Sequence, residues 1–186
     1  LPYHGSRGVS GEGYKHIQLG ADQIKLGLEQ AVADVEQGVT LLKGDGFRNI
    51  GVIGYSLGGI LTLLCMGKDR RLSKGIAICA GGDLADIIFK SPISWELARG
   101  LECQGVNYEE LREILKEVEP CNYAQNINPS NLLMINSVDD LIVPPENTRR
   151  FLKSLNGRPK INWRNIGHSM GGFENLSIEH LRGFVV

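Results

Sequence analysis

Ser56 stands between glycines in the run Gly54-Tyr55-Ser56-Leu57-Gly58-Gly59, directly after the apolar stretch Ile50-Gly51-Val52-Ile53. A strand, a sharp turn and a helix in that order present a hydroxyl at the tip of the turn, where the chemistry open to it is nucleophilic attack on a carbonyl carbon. The turn leaves little room for flanking side chains, which is the expected reason for Gly54 and Gly58. The backbone N–H of Leu57 would then lie at a helix start, placed to receive negative charge on a substrate oxygen. A serine needs a base, and the base needs an orienting acid. Asp140 follows the apolar run Leu132 to Asn136, and His168 follows Ile161 to Asn165. The chain order is serine, acid, histidine, with 84 residues from Ser56 to Asp140 and 28 from Asp140 to His168.

The elements that must position these residues can be read from periodicity. Ile24, Leu28, Val32, Val35, Val39 and Leu42 recur every three or four residues, which predicts a helix from Ala21 to Lys43, ended by Gly44-Asp45-Gly46. Short apolar runs at 49–54, 74–79, 132–136 and 161–165 read as strands buried on both faces. Helical patterns alternate with them at 58–66 and 144–155, and again near Ile178, Leu181 and Val185. The fold class is therefore α/β, with a mostly parallel sheet, helices on both faces and strand ends converging on one crevice.

The segment 83–130 is too long for a simple connection. It carries Ile87, Ile88, Phe89 and Trp95, and a helix with Leu111, Ile114, Leu115 and Val118 on one side. It reads as a helical excursion over the sheet, and either fills space or forms a lid that walls a pocket. In the second case Tyr55, Ile88, Phe89 and Trp95 would line the substrate pocket.

Here the chain resembles the α/β-hydrolase superfamily. The elbow Gly54 to Gly59, the acid turn Asp140-Leu141-Ile142-Val143-Pro144 and the late Gly167-His168 match its three motifs in order. The resemblance is to its esterase-like and dienelactone-hydrolase-like groups, with serine where the latter carry cysteine. It implies a Ser56, Asp140 and His168 triad, an oxyanion site that includes the Leu57 N–H, and hydrolysis of a carboxylic ester without metal or organic cofactor. It prefers Asp140 to its neighbour Asp139 as the acid, leaving Asp139 a solvated or turn-capping carboxylate. Thioester or peptide cleavage, acyl transfer, or a non-catalytic binding role on the same fold remain the alternatives. The segment 5–13 is similar to the glycine-rich loop that the family carries after its fourth strand. On that resemblance residues 1–186 form one domain of a longer protein, lacking N-terminal strands and leaving an open edge at Ile50 to Ile53.

Composition limits the rest. Hydrophobic residues make up 42% and charged residues 22%, and the formal net charge of -1 offers no patch for nucleic acid. No run reaches membrane-spanning length. The expected partner is a small ester-type molecule, and no assembly can be read. Cys65, Cys79, Cys103 and Cys121 are scattered, and the first two lie in apolar stretches. Buried thiols of that kind suit a reducing compartment, so a cytoplasmic location is expected. His4, His16 and His180 read as structural or exposed, and Trp163 as a packing residue. The His4-Gly5 pair has no strand before it and is not read as an oxyanion segment.

Overall fold

In a computed structural model the chain is described over residues 20–169 and at Phe184. The glycine-rich segment 5–13 and the amphipathic stretch around Ile178 and Leu181 lie outside the described residues. The first helix, α1 (Ala21–Gly44), buries Leu28, Val32 and Val39 of the predicted stripe with Ala31 beside them, while Leu42 near its end is exposed. It stops where Gly46 turns to φ +92°. Strand β1 (Ile50–Tyr55) leads through Ser56 into α2 (Leu57–Lys68), whose residues 59–67 are all buried. Strand β2 (Leu72–Ile78) follows, then three short helices, α3 (Leu84–Lys90), α4 (Trp95–Cys103) and α5 (Tyr108–Ile114). Strand β3 (Leu132–Ser137), helix α6 (Pro145–Ser154) and strand β4 (Lys160–Arg164) complete the described elements.

The four strands are parallel and ordered β1-β2-β3-β4. Among the described residues β1 and β4 are the edges of the sheet. Ile53 on β1 is 57% exposed. Alternation along β3 separates two faces: Leu132 and Met134 join the main core, while Leu133 and Ile135 join a smaller cluster. The main core holds α1, α2 and α6 through residues such as Val32, Leu64 and Phe151. The smaller cluster holds Ile76, Cys79 and Phe184, which is helical, on the opposite face. Among the described residues, a parallel sheet with its core divided between two faces and a strand-turn-helix at Ser56 is the arrangement the resemblance leads one to expect.

The excursion between β2 and β3 is wholly helical and turn-like. It is no loose cover: Leu101, Leu111, Leu115, Val118, Ala124 and Ile127 are buried in the main core beside α1 and α2. The sequence extends its last helix to Val118, whereas α5 stops at Ile114. Pro120 explains part of this, because it pushes Glu119 to an extended backbone and rules out continuation. Leu115 and Val118 are buried all the same, from turns instead of a helix.

Candidate active site

The local sequence builds a strained turn at Ser56. Its φ of 54° and ψ of −121° lie outside the regions that L-residues favour, and the surrounding bonds hold it there. The Ser56 N–H donates to the Ile78 carbonyl at 2.8 Å, extending the ladder to β2, and its own carbonyl accepts the first helical bond, from Ile60 N–H at 2.9 Å. The N–H of Leu57 consequently belongs to the first turn of α2, where helical donors have no intrahelical partner.

The glycine requirement differs from expectation at one position. A Cβ on Gly54 would sit 2.0 Å from the Gly58 carbonyl oxygen, so the residue before the turn has to be glycine. A Cβ on Gly58 meets nothing within 4 Å, whereas one on Gly59 would lie 2.7 Å from the Ile78 carbonyl oxygen. Gly54 and Gly59 make the close approach; Gly58 does not.

The structure brings Ser56, His168 and Asp140 together. His168 Nε2 lies 2.8 Å from Ser56 Oγ, and its Nδ1 lies 2.8 and 3.0 Å from the two Asp140 oxygens. A carboxylate on Nδ1 assigns the proton there, which leaves the Nε2 lone pair facing the serine hydroxyl. Asp140 is only 2% exposed, and its Oδ1 also accepts the N–H groups of Ile142 and Val143 at 2.8 and 2.9 Å. A buried carboxylate satisfied in this way is held in one orientation. Such an arrangement can deprotonate a hydroxyl and stabilise the imidazolium that results.

Three neighbours were not assigned these contacts by sequence. Tyr55, expected to line a pocket, donates its hydroxyl to the His168 carbonyl, and burial pushes its pKa up to about 12. Asp139 is exposed, yet its Oδ1 accepts the Gly167 N–H at 2.9 Å and meets the Ser137 hydroxyl. Those two donors hold its carboxyl below the usual range. Cys79 is fully buried, and burial with the adjoining Asp140 carboxylate pushes its thiol up to about 12. No residue-type pattern in the sequence marks any of the three, since the contacts of Tyr55 with His168, Asp139 with Gly167 and Cys79 with Asp140 join segments far apart in the chain.

Cys79 Sγ, an Asp140 oxygen and a His168 ring nitrogen lie within 4.8 Å of one another. That donor set would suit zinc, but Asp140 is already engaged by His168 and two amides. Of the other residues expected to line a pocket, Ile88 and Phe89 are half-buried on α3 and packed against the main core, while Trp95 is 52% exposed. Phe89 lines a cavity of about 620 Å³ together with Asp86, Val106 and Tyr108; Trp95 lines a second, of about 340 Å³, with Arg99 and Cys103. Ser56, Asp140 and His168 line neither. Trp163 on β4 lies beneath the Arg149 guanidinium. Among the described residues no helix is long and apolar enough to cross a membrane.

Residues 6–172 match the model of the prolyl oligopeptidase family. Among solved structures, an acetyl xylan esterase from Paenibacillus sp. R4 is similar at 20% identity and a TM-score of 0.69, over 86% of this chain and 52% of that one. An acylaminoacyl peptidase from Pyrococcus horikoshii is similar at 22% identity and a TM-score of 0.58, over 85% of this chain and 24% of that one. Acetyl xylan esterase 1 from Thermoanaerobacterium sp. JW/SL YS485 follows at 20% identity and 0.58, over 74% and 46%. The chain thus spans about half or less of the length of these proteins. At such identities they share the fold. None of the curated proteins compared with the chain matches it significantly.

Proposed function

The chain belongs to the prolyl oligopeptidase family, and from that premise we propose that it is a serine hydrolase that cleaves a carboxylic acyl bond through an acyl-enzyme on Ser56. The observation that carries this reading is the hydrogen-bonded series from Ser56 through His168 to the buried Asp140. In this reading Ser56 Oγ attacks the acyl carbon while His168 Nε2 takes its proton. The imidazolium, steadied by Asp140, then protonates the leaving group, and water reverses the sequence to release the acid. The Leu57 N–H receives the developing oxyanion, a role whose loss typically costs on the order of a hundredfold or more.

An ester is the substrate that the resemblance to esterase-like groups favours, and the similarity of the fold to acetyl xylan esterases supports it. Membership of the prolyl oligopeptidase family favours a second reading, cleavage of a peptide bond by the same three residues. The two differ in the leaving group that His168 must protonate, so matched ester, thioester and peptide substrates bearing one acyl group separate them. The chemistry itself is tested with a serine-directed phosphonate. The purified chain should label at one site, and Ser56→Ala should abolish labelling and lower turnover by several orders of magnitude. An unchanged rate in the Ser56→Ala variant would dispose of the proposal.

A further inference from the structure

The turn that carries His168 is held by more than the imidazole. Its backbone is fixed at two points that bracket Gly167 and His168. On one side Gly167 N–H donates to Asp139 Oδ1 at 2.9 Å, and Ile166 N–H donates to Ser137 Oγ at 3.0 Å. The Ser137 hydroxyl in turn rests against the same Asp139 oxygen. On the other side the Tyr55 hydroxyl donates to the His168 carbonyl. Gly167 itself sits at φ +61°, a conformation open to a residue without a Cβ and therefore able to relax if the bond to its N–H is lost. The Val138 N–H, donating to the Arg164 carbonyl at 2.8 Å, continues the pairing of β3 with β4 up to this point.

We propose that Asp139 is a positioning residue for His168. Two consecutive carboxylates share the placing of one imidazole. Asp140 binds the ring of His168, and Asp139 binds the backbone of the turn from which that ring projects. The proposal rests on the serine-hydrolase reading for its effect on rate, but on geometry alone for its effect on the imidazole. Asp139 touches neither the imidazole nor Ser56 Oγ in any hydrogen bond of the structure. It acts through Gly167. A side-chain amide keeps a carbonyl oxygen where Oδ1 now stands, so Asn can replace Asp here, while a side chain with no acceptor at that reach cannot. Because Asp139 is exposed, replacing it opens no cavity and leaves the core untouched.

The experiment compares Asp139→Ala and Asp139→Asn with the parent chain by two independent readouts. One is the downfield proton resonance of the His168 Nδ1–H bonded to Asp140. The other is the rate of phosphonate labelling, with turnover of an activated ester split into kcat and KM. Asp139→Ala should broaden or lose the resonance and slow labelling and kcat about ten- to hundredfold with KM little changed, the penalty expected of a displaced catalytic group. Asp139→Asn should return the resonance and most of the rate. An alanine variant with the parent resonance and labelling rate overturns the proposal, and so does an asparagine variant no better than alanine. If the alanine variant does not fold, Asp139→Ser, too short to reach Gly167, takes its place. A parent chain that shows the resonance but never labels refutes the hydrolase reading, while the resonance in the variants still decides the role of Asp139.

Discussion

Ser56 keeps a backbone conformation that costs energy, and the side chains around it show what that strain requires. Gly54 gives way to the Gly58 carbonyl oxygen, which a Cβ would approach to 2.0 Å. Gly54→Ala should therefore displace the turn and leave a chain that neither labels nor melts as the parent does. Gly58→Ala faces open space and should melt within about 1 kcal/mol of the parent, since a helix position gains from the exchange. Equal damage from both would contradict the geometry. The sequence shows the glycines but cannot say which of them the turn uses, because the decisive contact runs between backbone atoms. Of the two adjacent aspartates, the resemblance prefers Asp140, and it is the Asp140 carboxylate that meets His168 Nδ1. Its Oδ1 accepts two backbone N–H groups. An Asn at this position would keep its carbonyl oxygen on those donors and turn its amide toward Nδ1, forcing the wrong imidazole tautomer. Asp140→Asn should lower kcat on the order of a thousandfold or more, measured beside Asp139→Asn as the mild control.

At the scale of elements, strand and helix positions were legible because apolar runs and three-to-four periodicity survive folding: the observed bounds of the four strands, α1, α2 and α6 lie within two residues of those read from the sequence, whereas α5 ends four residues early. Joints between elements were not. The turn from α2 into β2 illustrates why. Asp69, buried after the helix, accepts from Arg71 Nε at 2.9 Å, and Arg71 reaches on to Thr40 Oγ1 at 2.7 Å and the Glu36 carbonyl oxygen at 3.1 Å on α1. Two side chains tie three elements, and nothing in the spacing of 36, 40, 69 and 71 announces it. The Arg71 guanidinium holds the Asp69 carboxyl below its ordinary value of 3.8 although burial opposes it. A depressed carboxylate stabilises the folded chain above the unfolded value and loses that contribution as pH falls through the folded one. Asp69→Asn should accordingly melt earlier than the parent at pH 7, and the gap should close on acidification below about pH 4. A gap that stays constant with pH would assign the loss to packing.

The whole molecule distributes its core in a way that the pattern of the excursion did not disclose. Its amphipathic helices announce an apolar face, and a sequence cannot say whether that face meets a substrate or the body of the protein. The structure places Leu111 and Leu115 in the core beside α1 and α2, each no more than 1% exposed, while Ile93 and Trp95 stand 73% and 52% exposed. One segment therefore carries two populations of apolar residues in different surroundings. Leu111→Ala or Leu115→Ala should cost about 2–5 kcal/mol, the range for leucines whose site cannot collapse, and should lower the denaturation midpoint of the entire chain in a single transition. Ile93→Ala and Trp95→Ala should lie within about 0.5 kcal/mol of the parent. If the outer surface of the excursion meets substrate, those two changes alter acyl-chain preference without altering the melt. Leucine variants that fold normally would show that the excursion is a detachable cover after all, and would shift the stability of the fold onto the sheet, α1, α2 and α6.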